Sequence, residues 1–140
     1  MNFHIRQTQV TKEIKNWVYK GFARHAVLST GINGLAEDPI AFCIDHQDEP
    51  VGMIALQLFW EQLHIKYLFV EEPFRNQGMG RHLMEHALAY GKLKGCEFAF
   101  VETMSFQAPE FYTKMGFQIE FSRSGYAHHT TFHYLKKSLA

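Results

Sequence analysis

"VEEPFRNQGMGRHLMEHALAYGK", Val70 to Lys92, is the stretch on which the fold turns. A hydrophobic run ends at Val70, one proline and one arginine pass, two glycines bracket Met79, and a helical pattern begins at once. A helix start carries unpaired backbone N–H groups and the positive end of the helix dipole, so it can hold a phosphate without a lysine. Gly78 and Gly80 let the main chain approach an anion closely, and Arg75 and Arg81 add charge nearby. The stretch reads as a phosphate cradle running into a helix from about Gly78 to Lys94, closed by Gly95.

Working outward, "LHIKYLFV" before the cradle, Leu63 to Val70, is a strand, and so are "IAFCIDH" and "VGMIALQLFW", joined by the turn-rich "QDEP". These make a three-strand meander. Upstream, "FHIRQ" (Phe3 to Gln7) alternates like a short strand. From the cap Thr11, "KEIKNWVYKGFARHAVL" sets Ile14, Trp17, Val18, Phe22 and Ala26 at helical spacing. "STGINGLAEDP" then reads as loop. After the cradle helix, "EFAFVET" is a buried strand. "APEFYTKMGF" is a short helix from Pro109 to Gly116, and "FQIEFSR" and "TTFHYLKKSL" are the last strands, joined by "SGYAHH". The order is strand, helix, three-strand meander, helix, strand, helix, two strands: an α+β fold with a mixed sheet.

Three phosphate-binding patterns compete for the cradle. The P-loop fails because no Gly-Lys-Ser/Thr follows. The dinucleotide fingerprint matches at Gly78 and Gly80 and finds Glu102 downstream, but Leu83 stands at its third glycine and the strand ends too early. The third fits. "RNQGMG" resembles the Arg/Gln-x-x-Gly-x-Gly/Ala motif of the GCN5-related N-acetyltransferases (GNAT), with Arg75, Gly78 and Gly80 in its defining positions. "SFQAPEFYTKMGF" is similar to the family's second signature at Ala108, Tyr112, Gly116 and Phe117. The element order matches over nearly the whole chain.

The resemblance implies a GNAT-like acyl-CoA N-acyltransferase fold, one domain over residues 1–140, and acetyl coenzyme A as cosubstrate. Its pyrophosphate would lie on the amides around Asn76, Gln77, Gly78, Met79, Gly80 and Arg81. The pantetheine would pair with backbone at Leu68, Phe69 and Val70, where neighbouring strands splay at a bulge. Ser105, where many relatives carry asparagine, would make a shorter contact with the pantetheine. Tyr112 matches the tyrosine that points at the coenzyme sulfur and is the expected acid.

An amine must lose a proton before it attacks, since a free alkyl ammonium titrates near ~10.4. Two residues compete as base: His64, since an imidazole is a side chain suited to taking a proton under physiological conditions, and Glu102 at the end of its strand. No cysteine sits in either signature, so direct attack in a ternary complex is expected rather than an acetyl-enzyme. The acceptor, a small-molecule or a protein amine, would approach over the first helix and "STGINGLAEDP", with "SGYAHH" completing the wall. A non-catalytic module that senses acyl coenzyme A would carry the same motif.

Nine histidines raise a metal alternative. "HLMEH", His82 to His86, matches one metalloprotease string and puts two rings on one side of a helix. No third ligand announces itself, and His128 and His129 read as loop residues, so no metal is expected.

Bulk composition is ordinary for a globular protein. At 140 residues the chain can bury a core, and 14 basic residues balance 14 acidic ones, which gives no general grip on nucleic acid or an anionic membrane. The opening "MNFHIRQTQV" lacks the pattern of a signal peptide, and no stretch approaches the ~18 apolar residues of a membrane span. Cys43 and Cys96 read as reduced thiols in a core. The expected setting is cytoplasmic. The last strands leave a sheet edge through which two copies could form a homodimer.

Overall fold

The computed structural model describes residues 1–32 and 37–140. They fall into two compact units, Met1–Leu35 and Ala36–Ala140. The first holds helix α1, Lys12–Thr30, which begins where the Thr11 hydroxyl accepts the N–H of Ile14 at 3.2 Å. It ends at Gly31, whose left-handed φ of 74° lets its N–H reach the Val27 carbonyl. The expected strand at Phe3 to Gln7 does not form; residues 1–11 hold no strand or helix. Alternation over five residues marks a face, but only a partner strand makes a ladder. The expected loop "STGINGLAEDP" begins inside α1 at Ser29 and Thr30, and part of it, residues 33–36, lies outside the described residues.

The second unit is a six-stranded mixed sheet with order β1-β2-β3-β4-β6-β5. Its strands are β1 (Ile40–His46), β2 (Glu49–Phe59), β3 (Gln62–Val70), β4 (Phe98–Met104), β5 (Gln118–Tyr126) and β6 (Thr130–Ser138). The helices are α2 (Met79–Leu93) and α3 (Pro109–Lys114). Two tight hairpins build the meander. Gln47 and Asp48 in one turn, and Trp60 and Glu61 in the other, all take positive φ, the two-residue geometry whose twist suits antiparallel strands. Half of the segment expected as the loop "SGYAHH" is strand: β5 continues through Tyr126, and residues 127–129 form a 3-10 turn.

Helix α2 crosses over from β3 to the parallel β4. It buries Leu83, Met84, Ala87 and Gly91, one stripe at helical spacing, in a core with Ile54, Leu56, Leu63, Ile65, Val101 and Leu135. Fully burying each large aliphatic side chain contributes roughly 1.5–3 kcal/mol, so this layer fixes where the amino end of α2 sits. Cys96 joins that core, but Cys43 is exposed, against expectation, because Phe42 and Ile44 take the inward positions of β1.

Candidate active site

The sheet opens in the middle of β3. Parallel pairing with β4 runs only from Gln62 opposite Phe98 to Ile65 opposite Val101. There the β2 partner register shifts, with Ala55 opposite Tyr67 but Leu56 opposite Ile65, so Lys66 is an extra residue in β3. This bulge bends β3 away, and residues 66–70 leave β4 while β4 continues against β6 to Met104. The Glu71 N–H turns to the Val51 carbonyl on β2, so by alternation Leu68 and Val70 aim their peptide groups the other way, into the gap.

A cleft of about 240 Å³ fills the gap, bordered by Leu68 and Phe69 on one strand and Glu102 and Thr103 on the other. A second cleft of about 490 Å³ lies at the amino end of α2, bordered by Arg75, Asn76, Gly78, Met79, Gly80 and Arg81. Leu68, Gln107 and Tyr112 border both, so the two clefts form one groove.

The cradle's backbone follows from its residue types. Asn76 (φ 62°) and Gly78 (φ 82°) are left-handed, and the helical ladder begins only at the His82 N–H, which donates to Gly78. Left-handed residues among right-handed ones gather N–H groups on one concave side, and the first N–H groups of α2 have no carbonyl behind them. The arginines are steered. Arg75 donates through Nε to the Val70 carbonyl at 2.8 Å and lies over the Phe69 ring, 5.8 Å from its centroid. Arg81 turns one helical turn along to Glu85 at 3.0 Å, an exposed pair of little energetic weight. Gln77 donates to the Pro73 carbonyl at 3.2 Å, bracing the loop rather than reaching out of it.

Tyr112 stands edge-on between Phe111 and Phe117 at centroid distances of 5.3 and 6.0 Å. Burial raises its hydroxyl above its ordinary 10.0, so it keeps its proton through the neutral range. Ser105 is placed elsewhere. Its backbone N–H bonds the Thr131 carbonyl and its hydroxyl accepts the Thr131 N–H at 3.1 Å, and it borders neither cleft. Gln107, not singled out from the sequence, takes the groove position, its carbonyl oxygen fixed by the Met104 N–H at 3.0 Å. Only its place in the second signature could have drawn attention to it.

His64 and Glu102 meet. Nε2 of His64 lies 2.9 Å from Oε2 of Glu102, although the residues are 38 apart in sequence. The imidazole stacks on Phe100 at 4.4 Å with planes 8° apart. Glu102 borders the cleft between the strands; His64 does not.

Among the described residues no group of three or more His, Cys, Asp or Glu is placed to hold a metal ion. His82 is exposed on α2, and His86 packs edge-on against Phe42 at 4.4 Å. The thiol of Cys96 is raised, by burial first and the Glu37 charge second, and borders neither cleft. No helix among the described residues is long and apolar enough to cross a membrane.

Comparison with known proteins agrees with this architecture. The model of the Acetyltransferase (GNAT) family matches residues 8–117. Blasticidin-S acetyltransferase of Streptomyces morookaense is 32% identical over 99 residues, 70% of this chain and 73% of that protein. The peptidyl-lysine N-acetyltransferase YjaB of Salmonella typhimurium is 38% identical over 85 residues, 61% of this chain and 54% of that protein, so the match spans about half its length. Among solved structures, an acetyltransferase from Bacillus cereus superposes with a TM-score of 0.80 at 24% identity, covering 97% of each chain. A presumed streptothricin acetyltransferase from Bacillus anthracis, solved with acetyl coenzyme A, gives 0.66 at 21% identity over 73% of this chain and 63% of that one. The first of these two likenesses extends the fold over almost the whole length. With the family's model matching most of its residues, the chain belongs to the GNAT family of acetyltransferases.

Proposed function

We propose that this chain transfers an acetyl group from acetyl coenzyme A to a primary amine, by direct attack with both substrates bound. One observation carries the reading: Leu68, Gln107 and Tyr112 border both clefts, so an anion cradle and an opened strand pair form a single groove. The family match runs from the first unit into the second, which supports reading residues 1–140 as one domain.

The groove's backbone fits the coenzyme. N–H groups of Met79, Gly80 and Arg81, with the turn around Gln77 between the left-handed Asn76 and Gly78, suit a diphosphate. The edge of β3 suits an amide chain, with Leu68 as its main contact because Arg75 already engages the Val70 carbonyl. When bound, acetyl coenzyme A would supply the activated thioester. Tyr112, held neutral by burial, would give its proton to the departing sulfur. Named relatives that act on blasticidin S and on peptidyl-lysine support an amine acceptor of either class.

Calorimetry with acetyl coenzyme A, then thiol release across a panel of small-molecule and peptide amines, tests the reading. Binding with amine-dependent thiol release is the expected result. Binding with no release for any amine would make the chain a sensor, and no binding would end the proposal.

A further inference from the structure

We infer that Glu102 takes the proton from the acceptor amine and that His64 is its positioning residue, the two acting as one unit; this rests on the transferase reading above. Glu102 is the member of the pair that borders the cleft shared with Tyr112, while His64 stands behind it. To act as a base Glu102 must carry an ionised carboxylate, which only accepts hydrogen bonds, so in the proposed unit Nε2 of His64 is the donor across the 2.9 Å contact and Oε2 the acceptor. That bond occupies one carboxylate oxygen and leaves Oε1 for the amine. Phe100 stacks flat on the imidazole and limits its rotation, so the hydrogen bond points where the strand geometry sets it.

The strand opening makes this arrangement available. Parallel pairing aligns His64 with Phe100, and one residue later it ends. Glu102 therefore sits where the gap begins, with His64 beside it on the last paired turn of the pleat. Its side chain is 29% exposed and that of His64 21%, so the carboxylate reaches solvent and a ligand while losing part of its water.

The protons balance. One proton of the ammonium passes to Glu102, and the freed lone pair forms the N–C bond to the thioester carbonyl carbon. The C–S bond breaks with its electron pair on sulfur, which takes the Tyr112 proton. The nitrogen's second proton returns to the tyrosinate through water, and Glu102 releases the first to solvent. One proton is released per turnover.

The test begins by showing that the wild type turns over; no turnover for any amine would overturn the transferase reading and this inference with it. With turnover established, Glu102→Gln should lower kcat about 100-fold, in the range of a lost general base, with coenzyme affinity by calorimetry within about two-fold of the wild type. Formate should restore part of the activity of Glu102→Ala. His64→Ala should lower kcat about ten-fold, as for a lost hydrogen bond to a charged group, with both KM values little changed, and His64→Gln, which keeps an N–H donor, should recover most of it. Independently of turnover, a solvent-protected imidazole N–H proton should appear in the wild-type NMR spectrum and vanish in Glu102→Ala. Active wild type with undiminished Glu102→Gln would overturn the base assignment. Equal losses in His64→Ala and His64→Gln, or an imidazole proton unaffected by Glu102→Ala, would overturn the pairing.

Discussion

Arg75 Nε donates to the carbonyl of Val70 at 2.8 Å, tying the phosphate loop to the end of the opened strand. The arginine therefore does two things: it brings charge to the cradle and fixes the loop's approach to β3. Arg75→Ala should weaken acetyl coenzyme A binding roughly five- to ten-fold, about 1 kcal/mol, since the contact is exposed and partly screened. Arg75→Lys should recover only part, because an ammonium cannot present the same planar donor. Titration calorimetry at two salt concentrations checks both, and raised salt should shrink the difference.

The two glycines of the cradle are needed for different reasons, and their variants should separate. Gly78 has φ 82° with open space where a Cβ would point, so Gly78→Ala is a backbone problem. It should destabilise the fold by roughly 1–2 kcal/mol and disturb the N–H concavity. A Cβ on Gly80 would meet the Phe111 ring at an ordinary 3.7 Å, so Gly80→Val should leave thermal stability nearly unchanged while its methyls fill the groove. Thermal melts and coenzyme titrations together should show both losses for the first variant and loss of affinity alone for the second.

What could be read beforehand was local. Thr11 caps α1, Gly78 opens α2 and Pro109 opens α3 because cap and turn chemistry is written within a few residues. The site's decisive features are not local. The extra residue at Lys66 exists only relative to β2, and the meeting of His64 with Glu102 joins positions 38 apart through the alignment of β3 with β4. Either residue alone reads as an ordinary polar strand position. The same limit applies elsewhere: Phe3 to Gln7 alternates but lacks a ladder, and the hydrogen-bonded pair of Ser105 with Thr131 joins positions 26 apart that nothing local connects.

Gly91 sets how closely α2 lies on the sheet. A Cβ there would come within 2.7 Å of Leu63 Cδ2 and 3.3 Å of Leu63 Cβ, and Leu63 is fully buried with nowhere to move. Gly91→Val should therefore overpack the core and destabilise by about 1–3 kcal/mol. A melting temperature lower by roughly 3–10 °C, on the scaling for a domain of this size, is the expected readout. Coenzyme binding at low temperature should survive, since the cradle lies three turns away along the helix. An unchanged melting temperature would mean that the helix is free to lift.

Tyr112 links the chemistry to alkaline pH. Burial raises its hydroxyl above the ordinary 10.0, so the folded value exceeds the unfolded one. Its contribution to stability is then complete below the unfolded value and is lost as pH rises through the folded value, because the native state holds the proton longer. Tyr112→Phe cannot ionise, so above pH about 10 the variant should lose less stability with rising pH than the wild type does. The catalytic consequence is separate. A thiol near ~8.5 leaves with little help, so loss of the acid should lower kcat roughly 10- to 100-fold, with coenzyme affinity retained. If kcat is unchanged while the alkaline melting curves diverge as described, Tyr112 is a buried aromatic of the groove and another group protonates the sulfur.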